Sequence, residues 1–179
     1  MKKNIYSILF CSLSLVSMAQ VAIDKNSVNG ASTLLDFNNI SGNTNGIIVP
    51  TVDNKDNALA TNTAANNGTF LFDKSDNQFK MYEDGRWRDI SGVGDGAVIV
   101  TNASTEVAEE QGVIIGSDAS EAKGALVLES SDKALQLPII DRPDLNVKNP
   151  YPGMMCFDSY SASVALFDGK YWNYLDIKE

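Results

Sequence analysis

Histidine is absent from the 179 residues, which removes His-based catalytic triads and most zinc sites from consideration. The acids remain. Two of the 23 Asp and Glu residues could act as the paired carboxylates of a glycosidase, yet no spacing in the chain singles out a pair. The run Asp73-Lys74-Ser75-Asp76-Asn77 concentrates oxygen ligands, as calcium loops do, but lacks the spacing and terminal Glu of an EF-hand. Its chemistry favours an Asx-type hairpin turn. Gly92-Val93-Gly94-Asp95-Gly96 is rich in glycine, but no helix pattern follows it, so it reads as a linker rather than a phosphate loop. Cys156 lies among Met154, Met155 and Phe157 and reads as a small packed hydrophobe. The expectation is a non-catalytic chain with no metal and no cofactor.

The aromatic residues are the more informative set. Tyr82, Trp87, Phe167, Tyr171, Trp172 and Tyr174 gather at the ends of two hairpin-like stretches. Their first reading is a small core for each stretch. The alternative is that some face outward as stacking platforms for a sugar, with Asp and Asn supplying aimed hydrogen bonds. Sequence leaves both open.

The two stretches share a plan. Residues 68–87 and 153–172 each begin with a glycine and reach an Asp, Asp73 or Asp158, five residues later. An aromatic, Tyr82 or Phe167, follows nine residues after that Asp, and a tryptophan fourteen after it. Asp84-Gly85 and Asp168-Gly169 are tight-turn signals, because glycine accepts the positive φ a short hairpin needs. Glu83 precedes Asp84-Gly85 in the first copy, so that turn is offset by one residue relative to the second.

More of the chain repeats. Val113-Ile114-Ile115 matches Val21-Ala22-Ile23, and Leu126-Val127-Leu128-Glu129 matches Leu34 to Phe37 with a register open by one residue. Ala134-Leu135-Gln136-Leu137-Pro138 matches Gly46-Ile47-Ile48-Val49-Pro50, and Asp141 to Leu145 matches Asp53 to Leu59 as a capped turn. The expected fold is all-β with one or two helical turns: two tandem β-hairpin modules, residues 20–91 and 112–179, joined by a Gly-rich linker and acidic segment at 92–111. Neither module has enough continuous apolar sequence for a sizeable core, so each is expected to stack on the other or on further chains.

Residues 1–19 read as a signal peptide, with Lys2 and Lys3 ahead of an apolar stretch from Ile5 to Val16 and the small-x-small site Ser17-Met18-Ala19. That stretch is short for a membrane anchor, and Cys11 lies inside it, too early for a lipidated cysteine. Loss of Lys2 and Lys3 from the 14 Lys+Arg leaves 12 against 23 Asp+Glu, formally −11. Such a chain is repelled by nucleic acid and by anionic membrane surfaces. The expected location is extracellular or the outer cell surface, with the periplasm possible, and no membrane insertion follows removal of the signal.

Pro152-x4-Phe157-Asp158-Ser159 followed by Phe167-Asp168-Gly169-x2-Trp172 resembles the short repeat of tailed-phage tail-fibre and appendage proteins. The run from Leu126 to Pro138, L-x-L-x-S-x-D-K-x-L-x-L-P, is similar to a module of exported bacterial surface proteins. The resemblance implies an elongated, β-rich, often trimeric shaft element. The functional expectation is therefore an exported structural or adhesive protein that self-associates, with a trimer favoured; the alternative is a carbohydrate-binding module using the surface aromatics.

Overall fold

The computed structural model describes residues 20–59, 64–100, 112–122 and 124–175. The expected signal peptide and most of the acidic segment lie outside the described residues. The fold is mainly β, as the sequence leads one to expect. In chain order the strands are β1 (Val21–Ile23), β2 (Thr33–Phe37), β3 (Ile47–Ile48), β4 (Thr51–Val52), β5 (Phe70–Asp73), β6 (Gln78–Glu83) and β7 (Arg86–Asp89). They continue with β8 (Val113–Ile115), β9 (Leu126–Leu128), β10 (Ala134–Leu135), β11 (Ile139–Ile140), β12 (Met154–Asp158), β13 (Ser163–Phe167) and β14 (Trp172–Leu175). Among the described residues, helical structure comprises 3₁₀ turns at Lys55–Asn57 and Ala64–Asn66 and a short helix, α1 (Pro143–Asn146).

Two antiparallel meanders carry the architecture, β5–β6–β7 and β12–β13–β14. Each gains a short parallel strand on its first edge: β4 beside β5, with Val52 opposite Asp73, and β11 beside β12, with Ile140 opposite Asp158. The turns at the far ends differ. Asp84 and Gly85 both have positive φ (50° and 75°) and form a two-residue connection between the paired Glu83 and Arg86, the geometry whose twist suits a tight hairpin. In the second meander four residues, Asp168 to Tyr171, connect the paired Phe167 and Trp172. The one-residue offset of the Asp-Gly pair in the sequence thus becomes a different turn.

Strand alternation decides what each face buries. Phe72 and Phe79 point to one face of the first meander, stacked edge-to-face at 5.5 Å. Met155 and Leu166 point to the facing side of the second. These four, with Val49 and Ile99, form one buried cluster. The two meanders therefore share a core. The opposite face of the second meander buries Met154, Cys156 and Ala165 with Ile140, covered by Val147, Phe167 and Trp172.

The Gly-rich segment after β7, expected as a boundary, is bonded to both meanders. Gly94 N–H donates to Asn77 O at 2.8 Å and Gly96 N–H to Asn77 Oδ1 at 3.0 Å. Asp95 N–H donates to Asp168 O at 2.8 Å, and Gly92 N–H to Asn173 Oδ1 at 3.0 Å. Ile99 then enters the shared core. The glycines permit this close approach, since a Cβ on Gly94 would lie 2.0 Å from Asp168 O.

Two further pairings cross between the halves. β10 runs parallel to β2, making a three-stranded parallel sheet β1–β2–β10, while β3 runs antiparallel to the outer edge of β12. β8 and β9 form a separate parallel pair. In that pair Val113 faces Leu126, just as Val21 faces Leu35 in β1–β2. Leu126 thus corresponds to Leu35, one residue on from the alignment read in the sequence.

Gly94→Ala is expected to destabilise the fold by about 1–3 kcal/mol, the usual scale for forcing atoms into packed space. Chemical denaturation monitored by tryptophan fluorescence would measure it; an unchanged midpoint would mean that the strap is loose.

Candidate functional site

Among the described residues four aspartates are buried, and each accepts at least two hydrogen bonds. Asp73 Oδ1 accepts from Ser75 N–H (2.9 Å) and Ser75 Oγ (2.7 Å), and its Oδ2 accepts from Lys55 N–H (3.2 Å). Asp158 Oδ1 accepts from Tyr160 N–H (2.9 Å) and Arg142 N–H (3.0 Å), and Oδ2 from Ser161 Oγ (2.8 Å). In each case a carboxylate at the end of a meander strand ties the hairpin turn to the helical turn that follows the neighbouring short strand; the first of these is capped by Asn54 Oδ1, the second begins at Arg142 with no side-chain cap. Asp168 holds its own loop through Lys170 N–H, Tyr171 N–H and Asn173 Nδ2. Asp36 Oδ2 takes Lys25 Nζ at 2.6 Å and Asn29 N–H at 2.7 Å.

Burial alone would raise the pKa values of Asp36, Asp73 and Asp158. The hydrogen bonds that each accepts outweigh it, so all three stand below the ordinary carboxylate value of 3.8. Carboxylates held ionised by several donors are poor proton carriers. Lys80 is also nearly buried, its ammonium between Asp76 (2.5 Å) and Asp89 (2.6 Å). Burial opposes its charge, but the two carboxylates prevail and raise its pKa. Within the 73–77 run, Asp73 meets the donors above, Asp76 Oδ2 takes Lys80 and Asn77 Oδ1 accepts from Gly96 N–H, while Asp76 Oδ1 is buried with no hydrogen-bond partner.

The aromatics divide between inside and outside. Tyr82 is completely buried, edge-on to half-buried Trp87 at 5.2 Å. Phe167 and Trp172 are half-buried and 5.3 Å apart. Tyr171 is 59% exposed and Tyr174 is 39% exposed, with Lys170 Nζ 5.0 Å from the Tyr171 ring. Burial, and then the nearby Asp144 and Asp158, push the Tyr174 phenol upward. Asp84 and Gly85 are solvated at a hairpin tip, whereas Gly169 packs against Asp95 O. Cys156 is fully buried, and burial with Asp158 nearby pushes its thiol up to about 12, so it is held protonated.

Two exposed tyrosines escaped the sequence reading. Tyr160 is 71% exposed at the tip of the β12–β13 turn, with the Arg142 guanidinium 4.7 Å from its ring. Its position two residues after Asp158, inside turn chemistry, was the available signal. Tyr151 borders a shallow groove of about 390 Å³ whose other walls include Asn45, Gly46, Ile48, Asn146 and Lys148. No periodicity marks that groove, because its walls come from segments a hundred residues apart.

The chain matches no family model, no curated protein and no solved structure.

The aspartate ties give a pH dependence of definite sign. Their folded-state pKa values are depressed, so their contribution to stability is complete above about pH 4 and fades as pH falls through the lower folded values. Thermal melts from about pH 5 down to about pH 2.5 are expected to show a steeper fall for the wild type than for Asp73→Asn/Asp158→Asn. At neutral pH each single Asn variant should lose about 1.5–3 kcal/mol, the scale of hydrogen bonds to a charged group. Parallel acid profiles for wild type and double variant would contradict this account.

Proposed function

We propose that the protein is an exported, non-catalytic structural or adhesive component of the cell surface, built in the manner of tail-fibre modules and self-associating, with a trimer favoured. One observation carries the reading. The short parallel sheets end in open strands whose apolar side chains meet solvent, among them Val113 at 62%, Leu126 at 48% and Ile23 at 42% exposure. Open strands of this kind are templates for pairing with another chain, and exposed apolar residues grouped on them mark an interaction surface. Asp73, Asp158 and Asp168 support the same reading, since both oxygens of each accept hydrogen bonds that hold turns. The acidic charge fits a surface-exposed protein that keeps apart from nucleic acid.

Light scattering on residues 20–179 should return a stable oligomer, three chains being the expected number. A single-chain mass at all concentrations would contradict the proposal.

A carbohydrate-binding role is the second reading, favoured by the exposed rings of Tyr171, Tyr174 and Tyr160 with Lys170 and Arg142 beside two of them. Tyr171→Ala and Tyr174→Ala are expected to weaken binding to a recognised polysaccharide at least tenfold on a glycan array while the fold is kept, loss of one stacked ring being worth about 1.4 kcal/mol or more. Unchanged binding would exclude these rings.

A further inference from the structure

β3 and β10 occupy corresponding places in the two halves, in Gly46-Ile47-Ile48-Val49-Pro50 and Ala134-Leu135-Gln136-Leu137-Pro138. Each precedes a short strand paired in the same way to a meander, β4 on β5 and β11 on β12. Yet the two segments use opposite sides of their backbones. In β10, Ala134 N–H donates to Ser32 O (2.8 Å) and Gln136 N–H to Leu35 O (3.1 Å), so positions 134 and 136 bond to β2. In β3, Val49 N–H donates to Gly153 O (2.9 Å) and Ile47 stands opposite Met155, so positions 47 and 49 bond to β12. Backbone groups alternate in direction along a strand. Gly46 and Ile48, the counterparts of Ala134 and Gln136, therefore point their backbone groups away from β12, and Ile48 is 54% exposed. That side opens into the groove of about 390 Å³ beside Asn146 and Tyr151.

The complementary vacancy lies on β9. Leu126 corresponds to Leu35 of β2, the strand that receives β10. Val113 N–H donates to Ala125 O (3.0 Å) and Glu129 N–H to Ile115 O (2.9 Å), so the odd-numbered positions of β9 face β8. The backbone groups of Leu126 and Leu128 face the other way, where no strand pairs among the described residues. One chain thus holds an unfilled receiving edge on β9 and an unused donating edge on β3, while the same kind of contact is already made internally between β2 and β10.

We infer that the free edge of β9 receives residues 46–48 of a second copy of this chain as a parallel strand, with Ile47 of that copy opposite Leu126. This rests on the self-association reading above and names its contact. The internal β2–β10 pairing supplies the template, including the register in which Leu135 stands opposite Leu35. The contact is strand addition, with main-chain hydrogen bonds giving affinity and Leu126, Ile47 and Ile48 leaving water. It is heterologous: each added copy brings its own open β9, so the assembly either continues as a fibre or closes into a ring. Closure after three copies gives the trimer.

The test uses two variants of the whole chain. Leu126→Pro removes the N–H on the open side of β9, a place where an edge strand tolerates proline, and with it the leucine side chain of the proposed contact. The double variant Ile47→Cys/Leu126→Cys places thiols opposite each other across the contact, within disulfide reach. The expected results are an oligomeric wild type, a folded Leu126→Pro protein at the mass of one chain, and a covalent ladder from the oxidised double variant that neither single cysteine variant forms. An oligomeric wild type with an equally oligomeric Leu126→Pro protein and no ladder would overturn the β9 contact and leave self-association standing. A wild type of single-chain mass would overturn both. Should Leu126→Pro not fold, the presence or absence of the ladder decides alone.

Discussion

The structure depends on the contact between the inner faces of its two meanders. Neither sheet can bury its apolar face by itself: the first offers Phe72 and Phe79, the second Met155 and Leu166. Removing such side chains from water contributes about 1.5–3 kcal/mol each, a useful sum only if both sheets meet. Hydrogen bonds from residues 92–96 to Asn77, Asp168 and Asn173 hold them in that relation. The glycines at 94 and 96 let the strap lie against carbonyl and carboxamide oxygens with no side chain between.

Around this core the chain fixes its turns with carboxylates instead of more apolar surface. A buried carboxylate is costly unless donors surround it. Asp73 and Asp158 meet that requirement by drawing donors from two separate turns, which then cannot move independently. The same donors that keep these groups ionised make them part of the scaffold. This explains how a strongly acidic chain with a limited core maintains ordered loops, and what its conspicuous Asp motifs do in the fold.

The elements were legible where local chemistry determines them. The shared spacing of residues 68–87 and 153–172 located the two meanders, and Asp84-Gly85 signalled its hairpin. Spacing from Asp73 and Asp158 placed the aromatics at the strand ends. Face and partner were harder to read. Period-2 alternation states that Phe72 and Phe70 share a face but not what covers it, and the cover comes from residues 155 and 166. Gly92 to Gly96 looks like flexible linker because glycine that permits close packing and glycine that permits freedom are the same residue in sequence. Tyr82 and Tyr171 are both aromatics near a turn. One lies edge-on to Trp87 at 0% exposure while the other stands in solvent at 59%. That difference arises from long-range packing. The crossing of β10 to β2 was likewise hidden, since a two-residue strand carries almost no periodic signal.

Among the described residues, the proposed self-association turns on the strand edges that the fold leaves unpaired. The internal pairings use one side of β3, one side of β10 and one side of β9, and the unused sides of β3 and β9 match. Backbone amide hydrogen exchange across a dilution series tests this most directly. The account predicts that the amides of Ile48, Leu126 and Leu128 are protected in concentrated protein and lose protection together on dilution, while Cys156 and Leu166 in the core stay protected throughout. Exchange at Ile48, Leu126 and Leu128 that is fast at every concentration would contradict it.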